Sequence, residues 1–469
     1  MDNSEFRRQA HAAVDWVADY LESIESRRIL PEVRPGDIRR ALPPTAPEAG
    51  EPFEKIMADF GETIVPGLVH WQHPGWFAYF ASNASPPSFL AELLAAGLAV
   101  NCMSWTTSPA ATELEQVTLE WLRRLLGFPD GLTGVIQDTA STATLTATIL
   151  GRDQAWSRSG RTAPLVFYAS EEAHSSVWKA ARLAGFAADL VRRIPTDDRY
   201  AMRPDLLAAA LREDQAAGRV PAVVVVTIGS TSSAAIDPLS AIGPLARQYQ
   251  ALLHVDAAWA GSTALLPECR AAFAGLELAD SVVMNPHKWL GVHFDLSAHF
   301  VRDPHRLQQS FGLTPEYLRG AHDTEVVNYR DWGIPLGRRF RALKLWMVLR
   351  SYGAESLRNM IREHLRLGEL FGAWVDADPA FERVAPVSFA LVCFRHCPAG
   401  LDEAGLERHN RALLARINQS GRVHLVGTTL RGRFVIRMAI GQRTTGEPHV
   451  REAWDLIRKA ASEVPSGSA

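Results

Sequence analysis

The sequence predicts an α/β protein: a large, mostly parallel sheet covered by helices, then a smaller α/β unit, with a helical and extended arm in front. Three observations predict it. Within residues 86–355, apolar or β-branched runs of strand length alternate with amphipathic helical stretches, the pattern of strands joined by crossover helices. Residues 356–469 read helix, strand, strand, helix, strand, strand, helix. Residues 1–85 carry one apolar helical stripe and a proline-rich stretch that together bury little.

The arm opens with Phe6, Ala10, Ala13, Val17, Tyr20, Leu21 and Ile24 at helical spacing. Pro31, Pro35, Pro43, Pro44, Pro47 and Pro52 follow, and a chain so punctuated is expected to form neither regular helix nor sheet. Its expected role is packing against another domain or subunit. In the large unit, 165–168, 222–228, 252–255 and 281–284 are the strand-like runs, with helical stretches at 203–216 and 240–250. In the small unit, Leu357, Ile361, Leu365 and Leu370 mark a helix, while 389–394, 424–426 and 434–440 read as strands. Pro448 sits in the first turn of the last helix.

Composition removes several classes. With 469 residues, 47% hydrophobic and 22% charged, the chain has material for two or three domains with real cores. Lys plus Arg is 49 against 52 for Asp plus Glu, a net −3, so no basic field points to nucleic acid or an anionic membrane. Cys102, Cys269, Cys393 and Cys397 make no disulfide scaffold and no complete zinc set, so no metal is expected. The first residues lack a signal-peptide core, and the apolar run 93–100 is far short of the ~18–20 residues of a membrane span. The expectation is a reduced, cytoplasmic protein.

Sites in such sheets lie beyond the carboxyl ends of the strands. The run 281–284 ends in Asn285-Pro286-His287-Lys288-Trp289. Burial there would lower the lysine pKa and free its amine as a nucleophile; alone, the same lysine could snorkel to solvent. The run 252–255 ends in Asp256-Ala257-Ala258-Trp259, a carboxylate followed by small residues. A plain ion pair is one reading of the two. A flat cationic ring between them explains both: the lysine holds an aldehyde as a Schiff base, and the carboxylate keeps a proton on a pyridine nitrogen. Thr139-Ala140-Ser141, before a helical run, would suit the phosphate of such a cofactor, although an ordinary helix cap would look the same. The hydroxyl-rich turn around Thr231 and His174, after the run 165–168, are equally ambiguous alone. Four strand ends meeting on one ligand is the economical reading.

These blocks, with Gly134-Val135-Ile136-Gln137 and the run 331–341 (Asp331 through Arg341), resemble the pyridoxal phosphate-dependent group II decarboxylases, particularly the aromatic L-amino acid decarboxylases. The resemblance runs in order from about residue 5 to about residue 460. It implies the aspartate aminotransferase-like fold type I and three parts: a dimerisation segment 1–85, a coenzyme-binding domain 86–355 and a small domain 356–469. It implies Lys288 as the Schiff-base lysine, Asp256 as partner of the pyridinium nitrogen and His174 as the residue stacked on the ring. Thr139, Ala140, Ser141, Asn285 and His287 would surround the phosphate, and Thr231 and Ala258 would line the ring. The segment 312–328 resembles the family's mobile catalytic loop, with Tyr317 as the proton donor after carbon dioxide leaves. A phenylalanine at that place would instead favour oxygen chemistry and an aldehyde. A homodimer with shared sites is also implied.

On the substrate side, 71–80 holds a cluster of aromatics, and Trp71, Tyr79, Phe80, Ser82 and Met103, with His174, are the expected pocket; part of that cluster would serve the core. No Lys or Arg occurs from His70 through Leu122, which disfavours an acidic substrate. The sequence departs from the animal and plant enzymes, as in a bacterial-type member. Ala81-Ser82 stands where they have Pro-Thr, Ser85-Pro86-Pro87 where they have Tyr-Pro, and Asn101-Cys102-Met103 where they have Ile and Phe. The loop after Tyr317 is about two residues shorter, and Asn328 holds an aspartate position. The expected activity is decarboxylation of Trp, Phe, Tyr or dihydroxyphenylalanine to the amine. The alternatives are an aldehyde-forming oxidative decarboxylase, a decarboxylase of histidine or another non-aromatic amino acid, and a catalytically silent binding protein.

Overall fold

The computed structural model describes residues 1–313, 315–316, 322–323 and 325–465. The large unit is built on seven strands: β1 (Thr133–Gln137), β2 (Leu165–Ser170), β3 (Val191–Ile194), β4 (Val220–Thr227), β5 (Leu252–Asp256), β6 (Ser281–Met284) and β7 (Ser297–Val301). Their order in the sheet is β1-β7-β6-β5-β4-β2-β3, and β7 alone runs antiparallel to its neighbours. The four adjacent strands β6, β5, β4 and β2 point the same way. Register pairs Thr227 with Asp256 and Asp256 with Val283, so their carboxyl ends finish level and form one shelf.

Three strands carry weak signals in the sequence. β3 contains Arg192 and Arg193, tolerated because it is the sheet edge. β1 contains Gly134, where a Cβ would lie 2.9 Å from that of Leu119. β7 buries Ser297 and His299 among its apolar residues, which hides its apolar character.

The small unit has the expected element order. Its sheet, β8 (Phe381–Arg383), β9 (Leu391–His396), β10 (Val426–Leu430) and β11 (Arg433–Ala439), is ordered β10-β11-β9-β8 and is antiparallel throughout. A long helix, Ala342–Ala377, leads into it and breaks at Gly353, whose φ of 68° an L side chain rarely adopts.

The arm corrects one expectation. The helix Asn3–Glu22 forms, but the proline stretch also contains two short helices, Asp37–Ala41 and Phe53–Asp59. Pro52 is the cap residue before the second, and Pro35 precedes the first, so the prolines punctuate these helices rather than forbid them. The arm then joins the small unit through backbone hydrogen bonds, Ile29 N–H to Gly421 O at 2.8 Å and Phe77 N–H to His424 O at 3.0 Å. Among the described residues, no helix is long and apolar enough to cross a membrane.

Candidate active site

A cavity of about 250 Å³ opens on the shelf of strand ends. Thr139, Ala140, Ser141, His174, Thr231, Asp256, Ala258, Asn285, His287 and Lys288 all line it, and so does Phe80. Trp71, Tyr79, Ser82 and Met103 do not line this cavity. Trp71 and Tyr79 are exposed and stack on each other with centroids 5.9 Å apart, Ser82 O accepts from Gln72 Nε2, and Met103 O accepts from Arg330 N–H. Tyr317 lies outside the described residues.

Each lining group is held by its element. Asp256 ends β5, and its Oδ1 accepts the Ala258 N–H at 3.0 Å, which turns the carboxylate toward the cavity side of the turn. Lys288 lies in the single helical turn Pro286–Trp289 after β6. Burial lowers its amine pKa to about 8, the nearby Arg437 guanidinium pushes the same way, and Asp256 opposes both. No hydrogen bond occupies its Nζ among the described residues, and that atom sits 5.2 Å from the centroid of the Phe80 ring.

His174 is the cap residue of the helix Ser175–Leu183. Its Nδ1 accepts the Ser176 N–H at 3.2 Å and lies 2.7 Å from Ser176 Oγ, so the neutral ring carries its proton on Nε2. Burial lowers its pKa, Lys288 adds to the effect, and Asp256 works against it. His287 is pushed down to about 3 by burial, and its Nδ1 accepts the Leu296 N–H at 3.0 Å. Thr139 caps the helix Ala140–Ser159 through its Oγ1, leaving the first-turn N–H groups of Ala140 and Ser141 facing a cavity lined by hydroxyls. Thr227 Oγ1 is buried on the same wall with no partner, a polar atom that a ligand would satisfy.

Four residues at or beside the cavity were not singled out in the sequence: Arg437, Asn83, Trp259 and Trp289. Arg437, on β11 of the small unit, is 3% exposed; its Nε donates to Ser232 O, while its Nη2 is buried without a partner. Its guanidinium carbon lies 5.4 Å from the Phe80 ring centroid. A lone arginine in a late strand has no local signal, since only the packing of the two units brings it to the shelf. Asn83 ties the parts together: its amide donates to Gly441 O at 2.8 Å and to Lys288 O, and its Oδ1 accepts the Arg443 N–H at 2.7 Å. Trp259 and Trp289 form part of a ring stack behind the cavity. The aspartate-to-asparagine departure at 328 has a local reason. Asn328 Oδ1 accepts the Trp105 N–H at 3.0 Å and its Nδ2 donates to Asp323 at 2.9 Å, a donation an aspartate could not make.

Lys288, Asp256 and His174 line one cavity together with the start of the helix Ala140–Ser159, an arrangement suited to a phosphorylated pyridine aldehyde. Residues 35–397 match the family described as the pyridoxal-dependent decarboxylase conserved domain. The chain belongs to this family and is a pyridoxal phosphate-dependent amino acid decarboxylase of fold type I. It is 43% identical over 474 residues to phenylacetaldehyde synthase of Arabidopsis thaliana, covering 98% of this chain and 97% of that one. It is 43% identical over 484 residues to aromatic-L-amino-acid decarboxylase of Sus scrofa, covering 99% and 98%. The fold superposes on Oryza sativa TDC with PLP and tryptamine at a TM-score of 0.97, with 39% identity and 99% of each chain covered. These plant and animal relatives lend no support to the bacterial-type expectation.

Proposed function

We propose that this enzyme removes carbon dioxide from an aromatic L-amino acid and releases the amine. The observation that carries the reading is the Phe80 ring, which forms a cavity wall beside both Lys288 and Arg437. An aromatic side chain packs on such a wall, while the buried guanidinium answers the negative charge common to every amino acid substrate, its α-carboxylate.

Bound pyridoxal phosphate supplies an electron sink for the pair released when a bond at the substrate's α-carbon breaks. Lys288 is the residue that holds the coenzyme through its amine. Asp256 keeps a proton at the ring nitrogen, and the N–H groups of Ala140 and Ser141, with Thr139, Asn285 and His287 nearby, are suited to its phosphate. His174 offers Nε2–H to the substrate side, since Ser176 occupies its Nδ1. Arg437 orients the carboxylate that departs. Tyr317 is the proposed donor of the proton that replaces it at the α-carbon.

A second reading has specific support: the chain is as similar to a phenylacetaldehyde synthase as to an aromatic amino acid decarboxylase. The presence of tyrosine at 317 favours the amine. Incubating the coenzyme-loaded enzyme with L-tryptophan, L-phenylalanine, L-tyrosine, L-dihydroxyphenylalanine and L-histidine, and scoring amine, aldehyde, ammonia and peroxide, decides between them. Aldehyde with ammonia and peroxide, or turnover of histidine alone, would overturn the proposal.

The working form is proposed to be a cytoplasmic homodimer. Leu90, Leu94 and Leu98 make an exposed apolar stripe at helical spacing on Pro86–Leu98, and the arm helix Asn3–Glu22 buries only Gln9 within the chain. Light scattering at the mass of one chain would refute the dimer.

A further inference from the structure

A larger cavity, about 770 Å³, lies at the opposite end of the same sheet. β5 connects the two: Leu252 and Leu253, at its start, line this cavity, while Asp256, at its end, lines the coenzyme cavity. Residues 252 and 256 are separated by about 13 Å of strand, so a ligand here would not compete with the coenzyme. Five arginines line it, Arg158, Arg161, Arg247, Arg302 and Arg306, against two carboxylates. Its volume falls within the ~300–1,000 Å³ of small-molecule sites.

The charges do not cancel locally. Asp153 is paired outside the set, with Arg152 at 2.8 Å. Asp280, the other lining carboxylate, accepts the Leu253 N–H at 2.8 Å and is shared by the attraction of Arg302, Arg306 and Arg247. Two helices, Ala140–Ser159 and Leu239–Gln248, also end here, each C-terminus equivalent to about half a negative charge, which still leaves the guanidinium groups in excess. Backbone contacts fix two of them: Arg158 Nη2 donates to Pro221 O at 2.7 Å, and Arg302 donates to Ala279 O at 2.9 Å and Glu277 O at 2.8 Å. Arg306 pairs with Asp303 at 3.0 Å. Arg247 has neither hydrogen bond nor ion pair among the described residues, and Arg161 has only the Trp156 ring, 6.0 Å from its guanidinium carbon.

We infer that this cavity binds a small molecule carrying two or more phosphate groups, held by Arg247 and Arg161 together with the anchored Arg158 and Arg302. Guanidinium groups bind phosphate oxygens two at a time, and several around one basin favour a polyanion over a monoanion. The shared chemistry is the polyphosphate; it could belong to a nucleotide or to inorganic polyphosphate.

The test is calorimetric titration of the coenzyme-loaded enzyme, its coenzyme fixed to Lys288 by borohydride, with tripolyphosphate and separately with ATP. Saturable binding of one equivalent per chain is expected. Each lost charge-assisted contact should weaken it about tenfold or more, so Arg247→Gln should bind about tenfold worse and the Arg161→Gln/Arg247→Gln pair about a hundredfold. Arg161 gives up only the distant Trp156 ring and Arg247 only its attraction to Asp280, and unchanged coenzyme absorbance confirms an intact fold. Arg408→Gln, on the exposed face of the helix Glu403–Gln419, makes the same change in net charge elsewhere and should leave binding unaltered. Tighter binding of ATP than tripolyphosphate would assign a nucleotide, and equal binding the phosphates alone. Absence of saturable binding, equal affinity in the double variant, or equal weakening by Arg408→Gln would each overturn the inference.

Discussion

Trp259 and Trp289 stack face to face, centroids 3.9 Å apart and planes 9° from parallel. Trp259 follows Asp256 by three residues and Trp289 follows Lys288 by one, so the pair braces the two strand ends that carry the chemistry. Phe80 extends the stack on Trp259 at 4.4 Å, and Trp289 Nε1 donates to His364 Nδ1 at 2.8 Å on the long helix. Behind Trp259, a Cβ on Gly441 would lie 2.1 Å from its ring. Gly441→Ala must therefore displace Trp259, and overpacking of this kind costs about 1–3 kcal/mol. The expected result is a lowered denaturation midpoint together with weaker coenzyme binding, measured by absorbance titration. Unchanged values of both would show that the stack braces nothing.

Lys288→Ala should remove the visible absorption of the bound coenzyme and all turnover, while leaving the fold intact by circular dichroism. The site tolerates the loss structurally because Nζ has no hydrogen-bond partner among the described residues. Persistence of the visible band in this variant would refute the assignment.

Loading of the coenzyme-free protein should depend on pH through Lys288. The amine is reactive only when neutral, and burial places its pKa at about 8 rather than the ordinary 10.5. As pH rises toward 8 the neutral fraction grows about tenfold per unit, then levels above it. Stopped-flow reconstitution from pH 6 to 10 should rise and plateau near 8. A rate still climbing steeply at pH 9.5 would mean the amine is not desolvated.

Arg437→Gln should raise KM for the amino acid roughly tenfold to a hundredfold, the loss expected for a charge-assisted contact to a carboxylate. Arg437→Lys should recover part of that loss. The substitution gives up the Nε bond to Ser232 O, so circular dichroism and the coenzyme band of the variant, expected unchanged, separate substrate binding from folding. A KM that stays put in Arg437→Gln would remove this residue from substrate binding.

Under the proposed role of Tyr317 as proton donor, Tyr317→Phe should redirect the product from amine to aldehyde, with molecular oxygen consumed and ammonia and peroxide released. Product analysis by mass spectrometry checks this, and unaltered amine output would dismiss Tyr317 as that donor.

Much of the coenzyme cavity was legible because its groups follow strand ends in short, distinctive blocks: Lys288 after β6, Asp256 after β5, His174 after β2. The chain's local pattern marks where a strand stops, and level register does the rest. Substrate-side expectations read less directly. Phe80 lines the cavity, while Trp71 and Tyr79 are exposed and Ser82 and Met103 do not line it, because residue type and spacing in a stretch without regular structure do not say which side chains turn toward the shelf.

By itself the sequence determined the α/β class, the element order of the small unit, and the blocks that place Lys288, Asp256 and His174 at strand ends, since these depend on local periodicity and on residue types where strands stop. Only the tertiary structure decided that Arg437 reaches the shelf from β11, that Asn83 joins three segments, and that five arginines surround a second basin. Those depend on contacts between residues far apart in the chain, where no local pattern carries the information and packing of one unit on another selects the neighbours.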